Sequence, residues 1–199
     1  MIARFAPALA ALAVMGFTSA AAASPSMKTA GEASALKAWT AFCEKRPEEC
    51  RVDAGEPATI AHTPENIELL RAVNDYVNRT ITPLTDMVHW NEADRWDFAE
   101  TGAGDCEDIQ LRKRRYLVEA GLPRRALLMT VVIDGFGEGH AVLTARTDKE
   151  DLVLDNQNAS VLRWDRTGYI FLKREGETKT GWTSILPDED PRVVSASAQ

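Results

Sequence analysis

The sequence predicts an α+β domain, with helices packed on an antiparallel sheet. Helix start and stop signals frame two segments before residue 123. After Pro123 the apolar period turns strand-like, and short β-branched runs alternate with turns to about residue 173. Hydrophobic residues are 45% of the 199 and charged residues 27%. That profile supplies a packed core and excludes a disordered tail, a collagen-like fibre and a coiled coil.

Met1 to Ala23 reads as a signal peptide: Arg4, an apolar stretch from Phe5 to Phe17, then small residues ending in Ala20-Ala21-Ala22-Ala23. The apolar stretch is short for a membrane span, and no later run reaches spanning length. The mature chain, roughly 175 residues, is therefore expected to be soluble outside the cytoplasm. The alanine-rich leader points to a bacterial periplasmic or secreted protein. One domain is expected over 24–186, with a loose lead-in at 24–34 and a poorly ordered tail at 187–199. Net charge is −7, or −8 once Arg4 leaves with the leader. An acidic surface makes a poor polyanion binder, so nucleic acid is not an expected partner.

Leu36 to Phe42 resembles a short helix. A second helix starts at Thr63-Pro64-Glu65, with Thr63 as N-cap. Ile67, Leu70, Val73 and Val77 continue it at helical spacing, and it should end before Pro83. Thr85 to Ala103 is irregular, with Trp90, Trp96 and Phe98 set among acids to pack on the core or on a cleft wall. Gly102-Ala103-Gly104-Asp105 introduces a helix from Cys106 to Ala120, with Asp105 as N-cap and Gly121-Leu122-Pro123 as its stop. Its run Arg112-Lys113-Arg114-Arg115 reads as a solvated face. Strands are expected at 126–133, 140–145, 152–155, 161–164 and 169–173.

Three cysteines in an exported chain leave at least one thiol without an internal partner. Cys43 and Cys50 bracket a turn containing Pro47, which would let them bond in an oxidising compartment. Two buried thiols, or a pairing through Cys106, are the alternatives. With a Cys43–Cys50 bridge, Cys106 stays free at the first turn of a helix. There the helix-end amides favour a thiolate and offer an oxyanion hole, while Asp105, Glu107 and Asp108 oppose the thiolate. Of the three histidines, His62 and His89 lack a supporting context. His140 opens a strand, and the next strand ends at Asp155. Antiparallel pairing would bring Asp155 to one imidazole nitrogen and leave the other for the Cys106 sulfur.

Gly104-Asp105-Cys106-Glu107-Asp108, Gly139-His140-Ala141-Val142-Leu143 and Leu154-Asp155-Asn156, in that order, resemble the bacterial transglutaminase-like cysteine proteinases. This group includes periplasmic adhesin proteases of the LapG type. The likeness runs from about Phe42 to Trp182 and takes in Cys43, Cys50 and Trp90. It implies a papain-like, transglutaminase-like core in which the cysteine-bearing helix packs on the antiparallel sheet. Carried over, Cys106 is the nucleophile, His140 the base and Asp155 the orienting acid. The resemblance also implies calcium on Asp105, Glu107 and Asp108. The same acids are alternatively an N-cap and first-turn residues that suit the helix dipole. No cofactor is required for the chemistry. The expected function is acyl transfer to water on a protein substrate, with a cell-surface or periplasmic protein as the expected partner. Transfer to an amine, as in a transglutaminase, is the alternative, as is a non-catalytic interaction domain on this fold.

Overall fold

In the computed structural model, which describes residues 26–185, the local signals set most helix boundaries. Strand β1 (Thr29–Ala33) leads into helix α1 (Lys37–Lys45) and the single turn α2 (Pro47–Cys50). Helix α3 (Pro64–Thr80) begins where Thr63 accepts from Asn66 N, with Pro64 in its first turn. Short strand β2 (Thr82–Pro83), the turn α4 (Asp86–His89) and short strand β3 (Ala103–Gly104) come next. Helix α5 (Cys106–Glu119) is followed by β4 (Leu127–Ile133), β5 (Gly139–Arg146), β6 (Asp151–Leu154), β7 (Leu162–Arg163), β8 (Ile170–Glu175) and β9 (Trp182–Ile185). The expected leader at 1–23 and tail at 187–199 lie outside the described residues. Among the described residues, no helix is long and apolar enough to cross a membrane.

The main sheet has seven strands in the order β1-β9-β8-β4-β5-β6-β7. Every pairing in it is antiparallel. Strand alternation divides its side chains between two apolar layers. Leu127, Met129, Leu143, Ala145, Leu152 and Leu154 join Leu111 and Leu117 of α5 in one. Val132, Val142, Val153, Trp164 and Phe171 form the other. Burial on both faces explains why β4 to β6 read as nearly continuous apolar runs. Trp96 and Phe98 of the irregular segment belong to the first layer, so that stretch packs into the core. Trp182 stands edge-on to Trp39 and to Trp96 at 5.8 and 6.3 Å.

Two expectations about order and exposure need correction. The lead-in contains strand β1, which pairs with β9; β9 itself has no sequence-based counterpart. The basic run on α5 is not a solvated face: Lys113 and Arg114 are fully buried. Arg114 Nη1 donates to Glu175 Oε2 at 2.7 Å, and Met129 N meets the same oxygen at 3.0 Å. Glu175 Oε1 accepts from Trp39 Nε1 at 2.9 Å and Arg124 Nη2 at 3.2 Å. One carboxylate thus fastens α1, α5, β4 and the turn before β4. Cys43 and Cys50 are disulfide-bonded, with Cα atoms 5.7 Å apart. The residue before Cys50, Glu49, offers its carbonyl to both Arg114 and Arg124.

Candidate active site

The parallel pair β2–β3 sets the start of α5. Thr82 N bonds Gly102 O and Leu84 N bonds Gly104 O, both at 2.9 Å, so residues 82–86 lie beside 102–105. Gly104 is required by space: a Cβ there would stand 2.7 Å from Asp108 Cβ. Cys106 follows as the first residue of α5, free and half-buried. Its Sγ–H donates to Glu107 Oε2 at 3.1 Å, and the Ala141 N–H of β5 donates to the sulfur. Ala141 is the neighbour of His140, so helix start and strand start meet at this sulfur. Burial pushes the Cys106 thiol up, and the Glu107 charge and hydrogen bond push it further. Helix-end stabilisation does not prevail in this arrangement; the acids and the loss of water do.

His140 and Asp155 are both buried, at 5% and 2% exposure. His140 Nε2 and Asp155 Oδ1 are 2.8 Å apart. Pairing of β5 with β6 through Leu143↔Leu154 aligns the strands that carry them. Asp155 Oδ1 also accepts from Gln157 N at 2.9 Å, and Oδ2 accepts from Tyr169 OH at 2.6 Å. The Tyr169 ring lies edge-on to the imidazole at 6.0 Å. Burial alone would raise the Asp155 carboxyl; hydrogen bonds from His140, Tyr169 and Gln157 hold it below the usual range. From α3, the buried Asn74 accepts from Asp155 N at 3.0 Å, and Asn78 donates to Asp155 O at 2.8 Å. The other histidines stand apart from this arrangement. His62 pairs with Glu150 at 3.4 Å, and His89 stacks on Trp90 at 4.0 Å.

The acids around the nucleophile divide differently from expectation. Carboxylate oxygens of Asp86, Asp105 and Glu107 lie within 4.8 Å of one another. Asp108 is not of this group; its Oδ1 accepts from Asp97 N at 2.6 Å. Asp105 occupies the N-cap position of α5, yet its side chain makes no capping bond; it accepts from Asp86 N instead. Burial raises Asp105 to about 6, Glu107 to about 9 and Asp108 to about 8, with neighbouring acids adding to the effect in each case. Asp86 is raised too, first by burial. Asp86 Oδ1, Asp105 Oδ1 and Asp108 Oδ2 are buried with no hydrogen-bond partner among the described residues. Crowded, dry carboxylate oxygens left without donors suit a hard divalent cation.

Sequence reasoning missed Asp86, Tyr169 and Asn74. Asp86 lies in the stretch read as irregular and is one acid among several there. Asn74 meets its partner, Asp155, 81 residues away, and Tyr169, read only as the start of a strand, carries no signal of its contact with Asp155.

A family model described as bacterial transglutaminase-like cysteine proteinase, BTLCP, matches residues 29–190. No curated protein sequence gives a significant match. Among solved structures, Legionella pneumophila LapG is 23% identical, with a TM-score of 0.53 over 68% of this chain and 78% of that one. Its calcium-bound form is 25% identical, with a TM-score of 0.52 over 66% and 75%. The EGTA-treated form is 23% identical, with a TM-score of 0.50 over 68% and 78%. The likeness supports a transglutaminase-like fold of mixed helix and antiparallel sheet. With its family match spanning most of the sequence, the chain belongs to the bacterial transglutaminase-like cysteine proteinases.

Proposed function

We propose that this chain is an exported peptidase that cleaves a protein substrate with Cys106 as nucleophile, His140 as base and Asp155 as orienting acid. The observation that carries the reading is the 2.8 Å contact of His140 Nε2 with Asp155 Oδ1, beside a sulfur that accepts from Ala141 N–H. Asp155 fixes the tautomer in which Nε2 carries the proton, leaving Nδ1 basic. Nδ1 takes the thiol proton as the sulfur attacks the scissile carbonyl. The unpaired amides at the start of α5 receive the developing oxyanion. The imidazolium then protonates the departing amine, and His140 activates a water to hydrolyse the thioester. The Cys43–Cys50 bridge fits an oxidising compartment. The signal peptide at 1–23 and the domain span of 24–186 complete the proposal. Comparing periplasmic and surface proteins cut by the wild type and by Cys106→Ala tests it. New protein N-termini that require Cys106 support hydrolysis; isopeptide products in place of cleavage would overturn it.

Asp86, Asp105 and Glu107 are the residues that would hold calcium. When bound, calcium supplies positive charge that keeps these carboxylates ionised and offsets their repulsion of a thiolate. Glu107 has a double position, because its Oε2 accepts the Cys106 hydrogen bond. A Glu107 engaged elsewhere releases the Sγ–H to His140. Chelator is accordingly expected to lower the melting temperature and to slow iodoacetamide alkylation of Cys106. Glu107→Gln should remove most of that sensitivity, and magnesium should restore little, since it resists losing its waters. Unchanged melting and alkylation with chelator would show that Asp86, Asp105 and Glu107 hold no calcium.

A further inference from the structure

We propose that Lys113 is a positioning residue for the reaction: its buried ammonium provides the countercharge that keeps Asp155 a carboxylate facing His140. The proposal rests on the role of Asp155 given above. Lys113 lies two turns after Cys106 on α5, with its side chain fully out of solvent. Its Nζ makes no hydrogen bond among the described residues. The charge that acts on it is that of Asp155. One turn earlier, Gln110 Nε2 donates to Asn156 Oδ1 at 2.9 Å, so this face of α5 looks onto the segment that follows Asp155.

Stability does not account for such a residue. An ammonium taken out of water costs several kcal/mol unless a partner offsets it. The adjacent Arg114 has such a partner in contact, Glu175; Lys113 has none. A methionine of similar length would fill the same space without that cost. What the lysine adds is charge. Burial lowers Lys113 to about 7, and Asp155 works against that pull, so each group favours the ionised form of the other. The charges of a Cys106 thiolate, a His140 imidazolium, the Asp155 carboxylate and the Lys113 ammonium then cancel among themselves. Without the ammonium, the buried carboxylate and the neutral imidazole would carry one uncompensated negative charge. The hydrogen bonds from Tyr169, Gln157 and His140 would then hold the carboxylate without a countercharge, and its bond to the ring would shift.

The test uses the full chain with Lys113→Met, with Lys113→Gln as a second neutral variant that keeps a polar head. The probe is p-nitrophenyl acetate, an activated ester that a cysteine nucleophile can turn over, read as separate kcat and KM. Alongside it, the NMR signal of the His140 ring proton on Nε2 reports the bond to Asp155. The expected result is a kcat at least tenfold lower, KM unchanged, a displaced His140 signal, and a melting temperature equal to or above wild type. A folded neutral variant with kcat within threefold of wild type, or with an unmoved His140 signal, would overturn the proposal. Asp155→Asn is measured in parallel. If it retains wild-type kcat, the Asp155 role fails; if it loses kcat while the Lys113 variants do not, the lysine role alone fails.

Discussion

Replacing Cys106 by Ser or His140 by Ala is expected to lower kcat on p-nitrophenyl acetate by at least about 10³-fold while leaving the circular dichroism spectrum and melting curve near wild type. The size of the effect follows from the surroundings of the sulfur. Burial and Glu107 hold the thiol well above its ordinary range, so without a base to take the proton almost no thiolate is present at neutral pH. Serine in place of Cys106 is poorer still as a nucleophile. The two residues act in one proton transfer, so the double variant should lie within a few fold of the weaker single variant. Losses that multiply would separate their roles and count against the shared mechanism.

Glu175→Gln should be the most damaging substitution away from the site, costing about 3–5 kcal/mol and roughly 6–20 °C in melting temperature. The carboxylate accepts from Arg114, Arg124, Trp39 and Met129, and both its oxygens are used. An amide removes the charge that compensates two buried guanidinium groups and aims its NH2 at one of their donors. The pH dependence has a definite sign. Burial would raise Glu175, but Arg114 and Arg124 bring it below the usual glutamate range. Its contribution is therefore complete above an unfolded-state pKa of about 4.3 and is lost as pH falls through the lower folded value. Urea unfolding between pH 7 and pH 3 checks this: the wild type should lose stability below pH 4, and the gap to Glu175→Gln should narrow there. A variant as stable as wild type at pH 7 would assign the cluster no net role.

Legibility in the sequence tracked how local each signal is. Helix α3 declares itself through Thr63 and Pro64, and α5 through the glycine-rich bend and Gly121. Strands β4 to β6 declare themselves through apolar runs buried on both faces. Strand β1 does not: Thr29-Ala30-Gly31-Glu32-Ala33 has no apolar alternation, and its partner β9 lies about 150 residues away. His140 and Asp155 are close enough in sequence for a hairpin argument to join them. Asp86 and Asp105 are joined instead by a two-residue parallel pairing that no pattern announces. Lys113 and Arg114 defeat hydropathy because both are buried on α5, and Arg114 meets its partners Glu175 and Glu49 far along the chain. Buried charge is invisible to a method that reads charge as surface.

The pairing of β1 with β9 bears on the order in which the molecule can be made. Thr29 sits across from Ile185 and Ala33 across from Trp182, so the first strand among the described residues waits for the last of them. Until β9 is paired, β8 has an open edge, and Trp39 and Trp96 lack the indole that they both meet. Long-range closure of this kind is slow, because chain entropy is lost before the contacts repay it. Because residues 29 and 185 end side by side, a circularly permuted chain joined there and reopened in the exposed turn at Phe136 would carry β1 directly after β9. Its last closure would then be a hairpin instead of a meeting of termini.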